Sequence, residues 1–288
     1  GLTFSNVARY CPDSDETILG HLAQTRQHVR SSQPPPGHSP PATPRTPLNA
    51  NAKELIIETF PLNKLYSDDT GRFPVRACSG NQYVMIAFHT AGNLILQQAF
   101  STKADKQRIS AFNIIMTRLK TRGLSVDLNI RDNEASADFK KVITETWQAN
   151  FQLVPPDMHR RNKAERMIRH FKNHFLAILA GVDAAFPPYL WDLLLPQAEL
   201  TINLLRQATA NPKISAWEYF NGPFDFNKTP LAPMGCRVLI HAKPNTRRSW
   251  DYRAKQGFYV GPALDHYRCY ELVKSDTKQK VISDTVEF

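Results

Sequence analysis

The sequence predicts an α/β protein: a mixed sheet with helices packed on its faces, then a helical segment and a small β domain. Three observations predict it. Between residues 62 and 180, strand-like runs and segments of helical period follow one another in the order β-β-β-α-β-α-β-α. Such alternation after an initial meander builds a mixed sheet covered by helices. A second helical block, PPYLWDLLLPQAELTINLLRQA, comes next. From Cys236 onward the runs are short, strand-like and separated by turns (CRVLIH, GFYVG, HYRCYELV, QKVISDTVEF), as in a small separate β domain.

The elements read in order as follows. Residues 1–30 look like the end of a small helical unit, a remnant at the N-terminal side. Residues 31–52 form a Pro-rich linker, because SSQPPPGHSPPATPRTPLNA has almost no large apolar side chains to bury. The core domain spans 53–182. Leu62–Ser67 reads as a strand running into the turn-like cluster SDDTG. Tyr83–Phe88 is nearly continuous apolar sequence, a strand covered on both faces, and Leu94–Phe100 is its hairpin partner. Ile109, Phe112, Ile115, Met116 and Leu119 give residues 103–121 a helical stripe that stops at Gly123. SVDLNI at 125–130 alternates as a strand and runs into Asp132. Residues 135–149 place Phe139, Val142, Ile143 and Thr146 on one helical face, and FQLV at 151–154 is a short strand. Residues 160–180 form a long helix buried through Ala164, Met167, Ile168, Phe171, Phe175 and Ile178. A helical extension then covers 183–235 and the β domain 236–288.

With 288 residues, 42% of them hydrophobic, the chain can bury a substantial core. Its formal net charge of +10 favours a polyanionic partner, either nucleic acid or an acidic membrane surface. No segment approaches the ~20 consecutive apolar residues of a membrane span, and the first residues lack the pattern of a signal peptide. Cys11, Cys78, Cys236 and Cys269 form no CxxC pair, so a zinc finger or ribbon is not indicated and free thiols in a reducing compartment are expected. The first residue is not Met, which reads as a fragment of a longer chain.

Three acids stand where this layout brings strand ends and a helix start together. Asp68 or Asp69 follows the first strand, Asp132 ends the strand at 125–130, and Glu165 lies in the first turns of the long helix. Ligands collect at such junctions in α/β sheets. Three carboxylates there repel one another unless a cation is shared, and hard oxygen donors suit Mg²⁺ or Mn²⁺. Any one of these acids alone reads first as a solvated turn or capping residue, so the set carries the reading. Arg161, Glu165, Arg169 and Lys172 fall in one stripe of the helix, placing cations around the acid, as a phosphodiester substrate requires. The plainer alternative is an ordinary Glu165–Arg169 pair on a solvated face.

YSDDTGRFP, RDNEASADF and NKAERMIRHFK resemble the three signature blocks of retroviral and retrotransposon integrases. Asp68-Asp69-Thr70-Gly71 fits the context of the first acid with Asp68 as that acid, Asp132-Asn133 fits the second, and Glu165-Arg166 the third. Leu190-Trp191, Asn203, Trp217-Glu218 and Met234-Gly235-Cys236, with the closing DYRAKQGFYVG, HYRCYELV and SDTVEF, resemble the copia-type segment after the core. The similarity covers roughly residues 60–288. Glu134 stands where the family commonly has Gly, the loop DMHRRNK is charged where a small one is usual, and the gap from Asp132 to Glu165 is shorter than the retroviral one. The family's N-terminal zinc module is not visible: His21 and His28 have no paired Cys downstream and read as surface histidines.

The resemblance implies an RNase H-like five-stranded mixed sheet and an integrase: a polynucleotidyl transferase that trims DNA 3′ ends and joins them to a target. It implies Asp68, Asp132 and Glu165 as catalytic metal ligands for Mg²⁺ or Mn²⁺, with two ions. Arg161, Lys163, Arg166, Arg169 and Lys172 are expected to contact DNA near the site, and Arg247, Arg248 and Arg253, beside Trp250 and Tyr252, from the β domain. The alternative for that last cluster is a basic loop anchored to the core by its two aromatics. Element ends and target DNA are the expected partners, with a homo-oligomer assembling on them and no membrane or small-molecule substrate. Action in the nucleus after synthesis in a cytoplasmic polyprotein follows from the same resemblance. A non-catalytic DNA-binding remnant and a stand-alone nuclease are the competing readings. Neighbouring side chains on a strand face opposite ways, so only one of Asp68 and Asp69 can point at a metal. The motif favours Asp68; Asp69 is expected to face away or sit in the turn near Arg72, and its replacement by Asn to leave activity largely intact.

Overall fold

The computed structural model describes residues 14–21, 63–131, 135–153, 163–242 and 247–288, and of Lys163 and Ala164 only the backbone. The Pro-rich linker lies outside them. A short helix, α1 (Asp15–His21), is followed by three strands, β1 (Lys64–Asp69), β2 (Tyr83–His89) and β3 (Leu94–Phe100), and by helix α2 (Asp105–Thr121). Then come β4 (Leu128–Arg131), α3 (Ala137–Lys141), a π-helical turn (Val142–Thr146), β5 (Asn150–Leu153) and the long helix α4 (Lys163–Ala180). The first sheet has the order β3-β2-β1-β4-β5. β2 is antiparallel to both neighbours, whereas β4 is parallel to β1 and β5 to β4. This is a five-stranded mixed sheet with flanking helices, as the sequence predicts.

Side-chain alternation along β1 divides the core in two. Leu65 turns to one face, with Met85, Leu96 and, from α2, Phe112 and Ile115. Tyr66 turns to the other, with Ile86, Phe88 and, from α4, Ile168, Phe171 and Phe175. The run YVMIAFH of β2 is buried almost throughout because helices cover both faces.

Two local expectations are corrected. β1 continues through Asp69 instead of ending at Ser67, because Asp68 and Asp69 pair with Ile86 and Met85 of β2. The acids are therefore strand residues, not turn residues. The expected helix over 135–149 is α-helical only for Ala137–Lys141 before the wider π turn. Phe139 and Ile143 are buried as expected, but the wider turn leaves Thr146 exposed.

After α4 the chain makes a 3₁₀ segment (Pro188–Leu194), α5 (Leu195–Leu205) and α6 (Ala216–Asn221). Trp191 is fully buried, stacked on Phe73 with centroids 4.1 Å apart, and its indole N–H donates to the Val75 carbonyl at 2.9 Å. α5 covers the edge of the sheet. Asn203 accepts from the Ile95 N–H at 2.9 Å and donates to the Ile95 carbonyl at 2.7 Å; one turn earlier, Glu199 accepts from the Gln97 N–H at 2.9 Å. Ile95 and Gln97 are the alternate residues of β3 whose backbone groups point away from β2, so two side chains close an otherwise open edge. Arg118 from α2 completes this arrangement with an ion pair to Glu199.

The C-terminal strands β6 (Arg237–His241), β7 (Ala254–Pro262), β8 (Tyr270–Lys274), β9 (Lys280–Ser283) and β10 (Val286–Glu287) form a second sheet in the order β10-β6-β7-β8-β9. The single run expected over 279–288 splits in two, because a turn at Ser283–Thr285 returns the chain to pair with β6. Phe258 and Val260 of β7 share an apolar cluster with Trp191 and Leu194. Gly235 makes the junction: its φ of +73° and the 2.5 Å that a Cβ would leave to Val182 both exclude a side chain. α1 lies on α4, with Gly20 so close that a Cβ would come within 2.5 Å of the Ala177 nitrogen. The described residues all belong to one compact unit.

Candidate active site

The register of β1 decides which acid faces which side. Asp68 shares a face with Tyr66, the side covered by α4, and α4 packs against β1 and β2. Glu165 is exposed in the first turn of α4. Asp68 and Glu165 thus belong to the same side of the sheet. Asp68 is half-buried, and its Oδ1 accepts from the Asp69 N–H at 2.7 Å. Thr70 prolongs the strand pairing, accepting from the Val84 N–H at 3.0 Å. It also lines, with Phe171 and Lys172, a cavity of about 180 Å³ between this strand and α4.

Asp69 faces the other side. Its Oδ2 accepts from Arg108 Nε of α2 and from Arg131 Nη2 of β4, each at 2.7 Å. Arg72, the partner suggested by nearness in sequence, is exposed instead; the strand conformation carries Asp69 under α2, where the two buried guanidiniums are. Burial pulls the Arg131 pKa down, and the Asp69 carboxylate beside it works in the opposite direction. Neither arginine was singled out from the sequence. The one signal in the sequence was Arg131 itself, a cation at the end of the strand-like run that leads into Asp132.

Asp132 lies outside the described residues. Its chain neighbour Arg131 is the last residue of β4 and pairs with Ser67, the residue before Asp68. Among the described residues no group of three or more His, Cys, Asp or Glu is placed to hold a metal; the expected trio includes Asp132. The two acids within view supply the hard carboxylate oxygens that Mg²⁺ and Mn²⁺ prefer, and Asp69, already held by two arginines, is not a competing donor.

Of the expected DNA contacts, Arg161 and the Lys163 side chain lie outside the described residues. Arg166, Arg169 and Lys172 are exposed along α4. Arg248 and Arg253 are exposed in the connection from β6 to β7, and Arg247 is half-buried. Trp250 is 99% exposed and Tyr252 93%, so they do not anchor this connection to the core. The turn that carries them is ordered by its own bonds: the Arg248 N–H donates to Asp251 Oδ2 at 2.8 Å and the Asp251 N–H to the Arg248 carbonyl at 3.1 Å. Cys78, Cys236 and Cys269 are free thiols, and no described helix is long and apolar enough to cross a membrane.

No protein-family model and no curated protein matches the sequence. Among solved structures, the chain is similar to one in the cryo-EM structure of the simian T-cell lymphotropic virus intasome in complex with PP2A regulatory subunit B56 gamma, at 15% identity over 80% of this chain and 83% of that one, with a TM-score of 0.40. It is also similar to the catalytic core domain of BIV integrase in its crystal structure, at 13% identity over 56% of this chain and 94% of that one, with a TM-score of 0.41.

Proposed function

We propose that this chain is a retrotransposon integrase of copia type, which trims DNA 3′ ends and joins them to target DNA with divalent metal ions. The observation that carries the reading is the register of β1. It turns Asp68, the acid matching the signature block, to the side of α4 and Glu165, and commits Asp69 to arginines on the far side. Asp68, Asp132 and Glu165 are the residues to hold Mg²⁺ or Mn²⁺. Two such ions, when bound, activate the attacking oxygen and stabilise the leaving one. The protein's own part is to orient the acids and to grip the phosphate backbone. Arg166, Arg169 and Lys172 on α4, with Arg161 and Lys163 before and at its start, suit the strand being cut or joined. Arg247, Arg248 and Arg253 add phosphate contacts from the second sheet, where Trp250 and Tyr252 offer stacking surfaces. Assembly as a homo-oligomer on element ends, and action in the nucleus after synthesis within a cytoplasmic polyprotein, belong to the same proposal.

The test is a strand-transfer assay with purified protein and an oligonucleotide matched to the element's terminal repeat. Joining should require Mg²⁺ or Mn²⁺ and disappear in Asp68→Asn and Glu165→Gln. Metal-dependent cleavage without joining would make the chain a nuclease, and binding without either reaction a DNA-binding remnant.

A further inference from the structure

Asp69 and Arg131 each adjoin an acid of the proposed site in sequence: Asp69 follows Asp68, and Arg131 precedes Asp132. Their side chains leave the sheet on the face away from Asp68. There the carboxylate of Asp69, 2% exposed, accepts from Arg131, whose side chain is 1% exposed, and from Arg108 of α2. The Arg131 guanidinium also lies 4.4 Å from the centre of the Phe139 ring, so α3 backs it. Next along the same seam, Asn129 Nδ2 donates to Ser67 Oγ at 3.4 Å. The polar contacts thus cross from β1 to β4 at the strand ends that carry Asp68 and Arg131, the residue before Asp132 in sequence.

Stability does not account for this arrangement. A buried ion set loses on desolvation much of what it gains by attraction, and well-packed apolar replacements are often neutral or stabilising. Here Asp69 Oδ1 and Arg131 Nη1 are also buried with no hydrogen-bond partner among the described residues, a further cost. What the network supplies is direction. Charge-assisted bonds of 2.7 Å between buried groups hold over a narrow range of geometry, so sliding or splaying of β1 against β4 is opposed at this end of the strands. β1–β4 pairing alone is shared by every residue of the ladder and resists such motion least at its open end.

We infer that Asp69, Arg131 and Arg108 are positioning residues, a buried latch on the far face of the sheet that fixes Asp68 relative to the end of β4 and thereby sets the divalent-metal affinity of the site. The inference rests on the integrase reading in that it takes Asp68 as a metal ligand. It also changes the expectation for Asp69, which the sequence leaves idle.

Mn²⁺ titration of the whole chain by calorimetry tests it, with folding followed by thermal melting. The apolar double variant Asp69→Leu/Arg131→Met should fold yet bind Mn²⁺ at least about tenfold more weakly, the loss typical of residues that orient metal ligands. Asp69→Asn should show the same direction, and Arg131→Lys, which keeps the charge, should recover part of the affinity. A folded double variant binding Mn²⁺ within twofold of wild type overturns the latch. So does failure of both Asp69→Asn and Arg131→Lys to fold, since the network would then be a stability element. Asp68→Asn separates the two layers of inference: if it binds Mn²⁺ as wild type does, the metal site itself is wrong and the latch falls with it. If it abolishes binding while the double variant does not weaken it, only the latch is lost.

Discussion

Replacing Asn203 with Leu should destabilise the protein more than almost any other exchange of similar volume on α5. The side chain is buried and makes two bonds to one residue of β3, accepting from the Ile95 N–H at 2.9 Å and donating to its carbonyl at 2.7 Å. Leu fills nearly the same space and offers neither group. Both backbone atoms then stay buried under α5 with no partner, and each orphaned polar group costs on the order of 1–3 kcal/mol. Two of them give roughly 3 kcal/mol at the lower middle of that range. For a unit of this size about 1 kcal/mol moves the melting temperature by ~2–4 °C, so a fall of roughly 6–12 °C is expected. Differential scanning calorimetry measures it directly. An uncovered strand edge also templates pairing with another chain, so the variant should self-associate more readily on size-exclusion chromatography as concentration rises. A melting temperature within about 2 °C of wild type would show that the Ile95 backbone does not depend on Asn203, and would remove the edge-closing role given to α5.

Three further outcomes are expected. His174, half-buried with its ring Nε2 3.0 Å from Thr201 Oγ1, has its pKa pushed down to about 4, chiefly by desolvation and next by His170. Its folded value lies below the unfolded one, so its contribution is complete above pH 6.5 and is lost as pH falls towards 4, about 3 kcal/mol over that window at ~1.36 kcal/mol per pH unit. Chemical denaturation at several pH values should show this slope shrinking in His174→Gln; an unchanged slope would assign it elsewhere. Arg169→Ala and Lys172→Ala should leave melting unchanged and lower the salt dependence of DNA binding by about one unit for each phosphate no longer neutralised; a constant slope would return both to the solvated face. Trp250→Ala and Tyr252→Ala, both at exposed positions, should alter stability by no more than ~0.5 kcal/mol. Loss of stacking should weaken binding to unpaired DNA by roughly 1–3 kcal/mol per base, and unaltered affinity would exclude the aromatics from the interface.

Periodicity alone determined the element order, the hairpin of β2 and β3, the buried stripe of α4 and the strand-rich C-terminal part, because each depends on local alternation of apolar and polar residues. Asp68, Asp132 and Glu165 can be proposed as a set from the sequence because their spacing and neighbours form blocks that single residues do not. Tertiary structure decided what alternation leaves open. SDDTG is turn-prone by composition, yet β2 supplies backbone partners through Asp69, and this pairing turns Asp68 and Asp69 to opposite faces. Nothing local to Asp69 announces Arg108, 39 residues away, or Arg131, 62 residues away, as its partners. The π turn after α3 and the return of β10 to β6 likewise reflect packing and hydrogen bonds formed only when distant segments meet. Asn203 and Glu199 look like polar interruptions in an apolar helix until β3 lies beneath them. Their selection depends on an unpaired strand edge, which exists only once the sheet has formed.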